Sequence, residues 1–288
     1  MLGINTNAPS LSAQMNLGKS GGSLETSIAR LSSGLRVNSA KDDAAGLAIA
    51  ERLIAQIKGS DVAARNANDG ISLLQVADGA LGKISDNLQR MRELGVQAKN
   101  GTLNATDRAN LNREFTELAN EVGRVATSTT FNGNNVFAAA NKSVSLQIGS
   151  GNAAGDTLNV NLTDDGLAGG NDLQTTLGGA TQAAIVTAFG GVDTAANAGT
   201  AITTLDAAID DITNLRATAG ASLSRLDQVV SSLESSSNNL SSARGRIVDA
   251  DFAKETANLT RSQILQQAGT AMLAQANQLP NNVLSLLR

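Results

Sequence analysis

A 3.5-residue repeat in the last third of the chain constrains the fold more than any other feature of the sequence. From Ile202 to Ile247, mostly apolar side chains recur at alternating spacings of three and four residues. A repeat held this long keeps one face of a helix against a partner helix, as in a coiled coil or a helical bundle. The sequence therefore predicts one long helix that packs against other long helices. The strongest apolar positions of this seam are Leu205, Ile209, Ile212, Leu223, Leu226, Val230 and Leu233.

A second seam with the same spacing lies in the N-terminal half, at Leu74, Leu81, Ile84, Leu88 and Met91. Shorter apolar stripes occupy the two ends of the chain, at Leu24, Ile28, Leu31, Leu35, Ile264, Leu265, Met272, Leu279, Leu286 and Leu287. Helices that cannot bury a stripe locally must pair with one another. We therefore predict an antiparallel helical rod formed by the N- and C-terminal thirds, with terminal stripes that lack enough partners within one chain.

The middle of the chain differs in composition and pattern. The segment FNGNNVF (131–137) carries an Asn-Gly turn signal, and VSLQIGSGNAAGDTLNVNL (144–162) alternates on both sides of a turn-rich centre. The first pattern predicts a turn, and the second predicts a β-hairpin. Residues 167–199 are rich in Gly, Ala, Thr and Asp, which indicates a surface excursion. The predicted fold class is mainly α, with a small β-hairpin region in the middle.

Local signals predict where the helices begin. Ser39 or Asp42 is a candidate cap for the helix that follows the first stripe, and Thr106 or Asp107 for the next one. Because Pro9 stands among small polar residues, the start of the chain is predicted to be polar and non-helical.

Composition excludes most catalytic chemistry. The 288 residues contain no His and no Cys, which removes imidazole bases, thiolate nucleophiles, disulfides and the usual zinc ligands. We therefore expect no enzyme, no metal and no cofactor. The net charge of −4 gives no reason to bind nucleic acid or an acidic membrane, and we expect no membrane span and no cleaved signal peptide.

Several long blocks closely resemble bacterial flagellin. They are LSSGLRVNSAKDDAAGLAIAERL (31–53), RNANDGISLLQVADGAL (65–81), LQRMRELGVQAKNGT (88–102), FNGNNVF (131–137) and the last fifty residues from NLSSARGRIVDADF to the end (239–288). These blocks cover most of both terminal thirds, so the similarity is specific rather than a short motif.

The resemblance implies an extracellular filament subunit that polymerises with copies of itself. In this family the chain is exported unfolded through a type III apparatus, and it meets an export chaperone, a cap and hook-junction proteins. Residues 1–43 and 250–288 would form an inner coiled-coil layer, residues 44–166 and 200–249 a helical rod, and residues 167–199 a short variable exposed segment. Two alternatives stay open: a hook–filament junction protein of the same superfamily, and a coiled-coil adhesin or adaptor.

Three residues resemble the patch that host innate flagellin receptors recognise in some family members. They are Arg90 and Leu94, four residues apart, and Glu114 on the next predicted helix. We expect Arg90 and Leu94 to share one face, away from the Leu88 and Met91 seam. The alternative is that Arg90 and Glu114 form a solvated ion pair or an inter-subunit contact.

Overall fold

The computed structural model describes residues 7–137, 143–161 and 188–286, with side chains up to Gln278 except that of Asn161. Over these residues the fold is mainly α, as the sequence predicts. The helices are α1 (Ala8–Ser33), α2 (Ala44–Ala98), α3 (Ala105–Ser128), α4 (Ala195–Val248) and α5 (Phe252–Leu286). The strands are β1 (Thr130–Phe131), β2 (Asn134–Asn135), β3 (Ser143–Gln147) and β4 (Thr157–Asn161).

Helix α1 begins earlier than predicted. The side chain of Asn7 accepts a hydrogen bond from the backbone N–H of Ser10 at 3.1 Å and caps the helix. Pro9 lies in the first turn, where a missing N–H costs nothing and its fixed φ favours the helix. The prediction of a non-helical start is therefore wrong from Ala8 onward. Gly34 ends the helix in the left-handed conformation, at φ 72°.

The predicted caps of α2 and α3 are each displaced by one to four residues. Asp43 caps α2, because its carboxylate accepts a hydrogen bond from Gly46 N–H at 2.8 Å. Asp42 instead accepts hydrogen bonds within the turn before the helix. At α3, Asn104 is the N-cap and forms a reciprocal capping box with Asp107.

Both predicted β-turn regions form antiparallel hairpins. Strands β1 and β2 are joined by Asn132 and Gly133 at φ 50° and 81°, the positive values that a two-residue Asn-Gly hairpin turn requires. Strands β3 and β4 pair in the register Val144 with Val160 and Leu146 with Leu158.

The chain divides into two compact units: unit 1 is Met1–Ile57 with Asn238–Arg288, and unit 2 is Lys58–Ser237. In unit 2, α2 and α4 run antiparallel. Arg216 Nε donates to Asp78 Oδ1 at 2.8 Å, and Ser237 Oγ donates to Asp61 Oδ1 at 3.1 Å, so later residues of α4 meet earlier residues of α2. Arg216 is thus an exposed partner of Asp78 rather than a member of the buried seam.

Unit 2 contains the hydrophobic core, to which α2, α3, α4, both hairpins and the short segment before α4 contribute. The seam residues of α2 are all buried, as are three of α4, while Ile209, Leu223 and Val230 are partly buried against the core and Leu233 is half-buried. The largest fully buried side chains are Phe115, Phe189, Leu74, Ile84, Leu88, Met91, Leu94, Leu205, Ile212 and Leu226.

Unit 1 is organised around the antiparallel pair of α1 and α5. The chain crosses from α1 toward α2 beside the end of α4, where Arg36 N–H donates to Val248 O at 2.7 Å and Ala250 N–H donates to Gly34 O at 2.9 Å. The buried apolar side chains described in this unit are few and mostly small: Val37, Ala50, Val248 and Ala276.

Candidate assembly surface

Polar side chains line the contact between α1 and α5. Ser27 Oγ donates a 2.7 Å hydrogen bond to Glu255 Oε1, and both residues are buried. At the other end of the pair, Ser10 Oγ donates to Asn277 Oδ1 at 2.8 Å. Each of these two hydrogen bonds satisfies polar side chains at the contact, which offsets their desolvation. The pairing of α1 with α5 therefore includes specific hydrogen bonds in addition to apolar packing.

The residues of α1 that face α5 follow a repeat of three and four, but many of them are small or polar. These inward positions are Ser10, Ala13, Leu17, Ser20, Leu24, Ser27 and Leu31. On α5, Glu255, Ser262 and Gly269 occupy comparable inward positions. A search for apolar residues alone misses such a seam, because serine occupies positions where leucine is expected. The signal that could have found it is the spacing, read with small residues included.

Several large apolar side chains of α1 and α5 point to solvent. Those exposed on the two helices are Leu11, Met15, Ile28, Phe252, Ile264, Leu265 and Met272. Ile264 is 60% exposed and Met272 is 64% exposed. Soluble monomers rarely display so many large apolar groups on adjacent helices unless another surface covers them.

The predicted terminal stripes split between the two faces. Leu24, Leu31 and Leu35 are half-buried, whereas Ile28, Ile264, Leu265 and Met272 are exposed. The side chains of Leu279 and Leu286, and the whole of Leu287, lie outside the described residues.

A groove of about 680 Å³ runs between α1 and α5. Its walls include three cations, Lys19, Arg30 and Arg261, and one carboxylate, that of Glu255. This excess of positive charge agrees with the composition of unit 1, which has ten Lys and Arg against seven Asp and Glu. Unit 2 has the opposite balance, with 12 basic and 19 acidic residues.

The predicted receptor patch is only partly assembled. Arg90 Nη2 lies 2.8 Å from Glu114 Oε1, and Arg90 Nη1 lies 2.9 Å from Glu93 Oε2, with all three side chains exposed. The hydrogen bonds that Arg90 donates to Glu93 and, as the second cause, to Glu114 raise the pKa of Arg90.

The expectation for Leu94 is wrong, because this side chain is 1% exposed and belongs to the core. Continuing the seam three residues beyond Met91 reaches Leu94, so its burial follows from the repeat that buries Leu88 and Met91.

The described residues offer no site for a metal ion, since no group of three or more His, Cys, Asp or Glu is suitably placed among them. Within the same residues, none of the helices is long and apolar enough to cross a membrane.

Comparison with known proteins gives the family. Residues 4–142 match the bacterial flagellin N-terminal helical region, and residues 202–287 match the bacterial flagellin C-terminal helical region. A flagellin of Halalkalibacterium halodurans is 42% identical over 287 residues, which cover 99% of each chain. A flagellin of Xenorhabdus nematophila is also 42% identical, again with 99% of each chain covered.

Among solved structures, a flagellar hook-associated protein of Vibrio parahaemolyticus is similar in fold alone. Its TM-score is 0.57 at 15% identity, with 72% of this chain and 100% of that chain covered. Both regions matched by the family are helical, in agreement with helices α1 to α5. The flagellin relatives align with this chain over 99% of its length. This chain belongs to the bacterial flagellin family.

Proposed function

We propose that the protein is a non-enzymatic structural subunit that polymerises with copies of itself into the extracellular filament of the bacterial flagellum. The observation that carries this proposal is the set of large apolar side chains that α1 and α5 expose. Membership of the flagellin family supports a filament as the form of the assembly. The exposed side chains give a physical reason for subunits to associate.

Burial of these side chains between subunits would drive polymerisation. Fully burying one large aliphatic side chain contributes roughly 1.5–3 kcal/mol, so a side chain that is about 60% exposed, such as Ile264, contributes on the order of 1 kcal/mol. Seven such groups on α1 and α5 supply several kcal/mol per subunit. That burial free energy offsets part of the translational and rotational entropy that a subunit loses when it joins the filament.

The family resemblance suggests a role for each segment. Residues 1–43 and 250–288 form the inner coiled-coil layer of the filament, residues 44–166 and 200–249 form the surrounding helical rod, and residues 167–199 lie on the outer surface. The same resemblance supports an export chaperone, a cap and hook-junction proteins as partners, and export without a cleaved signal peptide.

Electron microscopy tests the proposal directly. Purified protein, seeded with filament fragments or salted out, should form filaments of uniform width. Ile264→Asp should prevent them, because a carboxylate would be buried between subunits. Ile264→Leu is the matched control, since it keeps an apolar group of similar size at the same site. Absence of filaments from the unaltered protein, or normal filaments from Ile264→Asp, would contradict the proposal.

Recognition by a host innate receptor is a second candidate role. The exposed Arg90 and Glu114 pair supports it, whereas the buried Leu94 leaves that side chain little contact area in the isolated subunit. In a receptor-reporter assay, Arg90→Ala should lower signalling. Arg124→Ala is the control, because Arg124 also forms an exposed ion pair, with Glu121. Equal responses from both variants would argue against this role.

A further inference from the structure

The methionines of this chain differ sharply in accessibility. Met15 is 60% exposed on α1, and Met272 is 64% exposed on α5. Met91, by contrast, is 0% exposed in the core of unit 2. Met1 lies outside the described residues. The chain therefore presents two accessible thioethers on the surface formed by α1 and α5, together with a buried thioether that serves as an internal reference.

Both exposed methionines belong to apolar rows rather than standing alone. Leu11 precedes Met15 by four residues and is 59% exposed, so the two side chains share one face of α1. Leu265 precedes Met272 by seven residues and is 53% exposed, which places this pair on one face of α5. A change of polarity at either sulfur therefore alters an exposed apolar strip, defined here as Leu11 with Met15 on α1 and Leu265 with Met272 on α5.

We propose that Met15 and Met272 are reversible oxidation sites at which a peroxide controls subunit assembly. The sulfur attacks one peroxide oxygen, an S–O bond forms, the O–O bond breaks, and water leaves when the peroxide is hydrogen peroxide. The sulfur loses two electrons, and the peroxide gains them. The product is methionine sulfoxide, which thiol-dependent reductases convert back to the thioether.

The sulfoxide opposes assembly because it places a strong hydrogen-bond acceptor in an apolar strip. Water satisfies this acceptor in the free subunit, whereas an apolar partner surface leaves it unpaired. This step rests on the proposed function, since it requires that a second copy covers the strip. Oxidation itself requires only the exposure of the two sulfurs in the free subunit.

The first experiment measures site selectivity and does not depend on polymerisation. The free subunit is treated with hydrogen peroxide, and peptides are read by mass spectrometry. An aspartate-specific protease is suitable, because trypsin would cut on both sides of Met91, after Arg90 and Arg92. Met15 and Met272 should oxidise at least about tenfold faster than Met91. Equal rates at the three sites would overturn the assignment of the sites.

The second experiment measures assembly. Pre-oxidised protein should need at least about tenfold more subunit to form filaments, because each sulfoxide carries an unpaired acceptor into the contact. In the double variant Met15→Leu, Met272→Leu, peroxide treatment should leave the subunit concentration needed for filaments the same as in the untreated double variant. Circular dichroism of the oxidised subunit checks that its helices persist. If oxidised protein assembles like untreated protein, or if the double variant remains sensitive, the proposal is wrong.

A third comparison separates this proposal from the proposed function. In filaments treated with peroxide, Met15 and Met272 should become protected while Met91 stays slow. If untreated protein forms no filaments at all, the proposed function fails, and the selectivity measured on the free subunit still decides the oxidation sites. If filaments form but Met15 and Met272 oxidise as fast as in the free subunit, assembly does not cover these side chains. That result would contradict the proposed control of assembly and would leave the proposed function intact.

Discussion

Units 1 and 2 use the same helical repeat in opposite ways. In unit 2 the repeat is filled by Leu, Ile and Phe, which form a continuous buried core. In unit 1 the inward positions of α1 and α5 include Ser, Gly and Glu, and several large apolar groups of these helices face solvent. Of the eleven large apolar side chains exposed in the described part of the chain, eight lie in unit 1, and the three in unit 2 are valines.

The comparison shows that the same three-and-four spacing occurs on a strongly apolar inward face and on a partly polar one, so spacing alone does not determine how strongly a face holds. Apolar burial stabilises unit 2 within one chain. Unit 1 has few buried apolar side chains and leaves several large ones exposed, which the proposed function assigns to contacts with other subunits. The charge balance differs as well, with unit 1 basic and unit 2 acidic, so like units repel more than unlike units do.

The largest expected effect breaks the core of unit 2. Phe115→Ala should lower the free energy of unfolding by roughly 3–5 kcal/mol, because it leaves a cavity at a fully buried site. Ile264→Ala in unit 1 should change it by no more than about 0.5 kcal/mol, since this side chain is already in water. Denaturant unfolding of the free subunit, followed by circular dichroism, measures both. Similar losses for the two variants would remove the contrast between the units.

A smaller effect sharpens the account of unit 1. Ser27→Ala removes the hydroxyl that donates to Glu255 and leaves a buried carboxylate oxygen without this partner. The free energy needed to open α1 locally should therefore fall by about 1–3 kcal/mol. Hydrogen exchange of the α1 amides reports this opening. Ser23→Ala is the control, because Ser23 Oγ bonds only within its own helix, to Lys19 O, and is exposed. Unchanged exchange in Ser27→Ala would mean that apolar contacts hold α1 instead.

The smallest effect is a pH dependence in the turn between α1 and α2. The hydroxyl of Ser39 donates to Asp42 and is the main cause that lowers the pKa of Asp42 below its usual 3.8. Because the pKa of Asp42 is lower in the folded than in the unfolded protein, the ionised carboxylate stabilises the folded state. This stabilisation is complete above pH 3.8 and is lost as the pH falls through the folded pKa.

Asp42→Asn should therefore be less stable than the unaltered protein at pH 7, and the two should converge in acid. Ser39→Ala, which removes the hydroxyl but keeps the carboxylate, should show part of the same change. Thermal unfolding at a series of pH values measures it. A gap between Asp42→Asn and the unaltered protein that stays constant down to pH 2 would exclude the proposed cause.

Sequence patterns were reliable where one residue type satisfied one physical need. The buried seam residues of α2 are those that apolar spacing identifies, and the Asn132–Gly133 turn follows from the positive φ values that only a few residues accept. Predictions were less accurate where several neighbours compete for one role. Asp42 and Asp43 are both suitable caps, and only the path of the turn decides that Asp43 bonds to Gly46.

The errors at the candidate sites have a common physical origin. Leu94 follows Arg90 by four residues, a spacing that predicts a shared exposed face. Leu94 also follows Met91 by three residues, and in the structure it is buried in the same core as Met91. The stripe of Leu24, Ile28, Leu31 and Leu35 is predicted to be one face that lacks partners within the chain, but only Ile28 is exposed, and Ser27 is the buried residue beside it. A carboxylate from a distant part of the chain, Glu255, makes that serine suitable for the interior.

The sequence by itself indicated the family through the resemblance of long blocks. It also determined the helical class, the hairpin turns and the repeat that forms the core of unit 2, because these depend on local spacing and on backbone preferences. Only the tertiary structure decided which face of α1 meets α5, since a serine becomes a good interior residue only when its hydrogen-bond partner arrives. That choice directs Met15, Ile28, Ile264 and Met272 to solvent and so determines the surface that other subunits can cover.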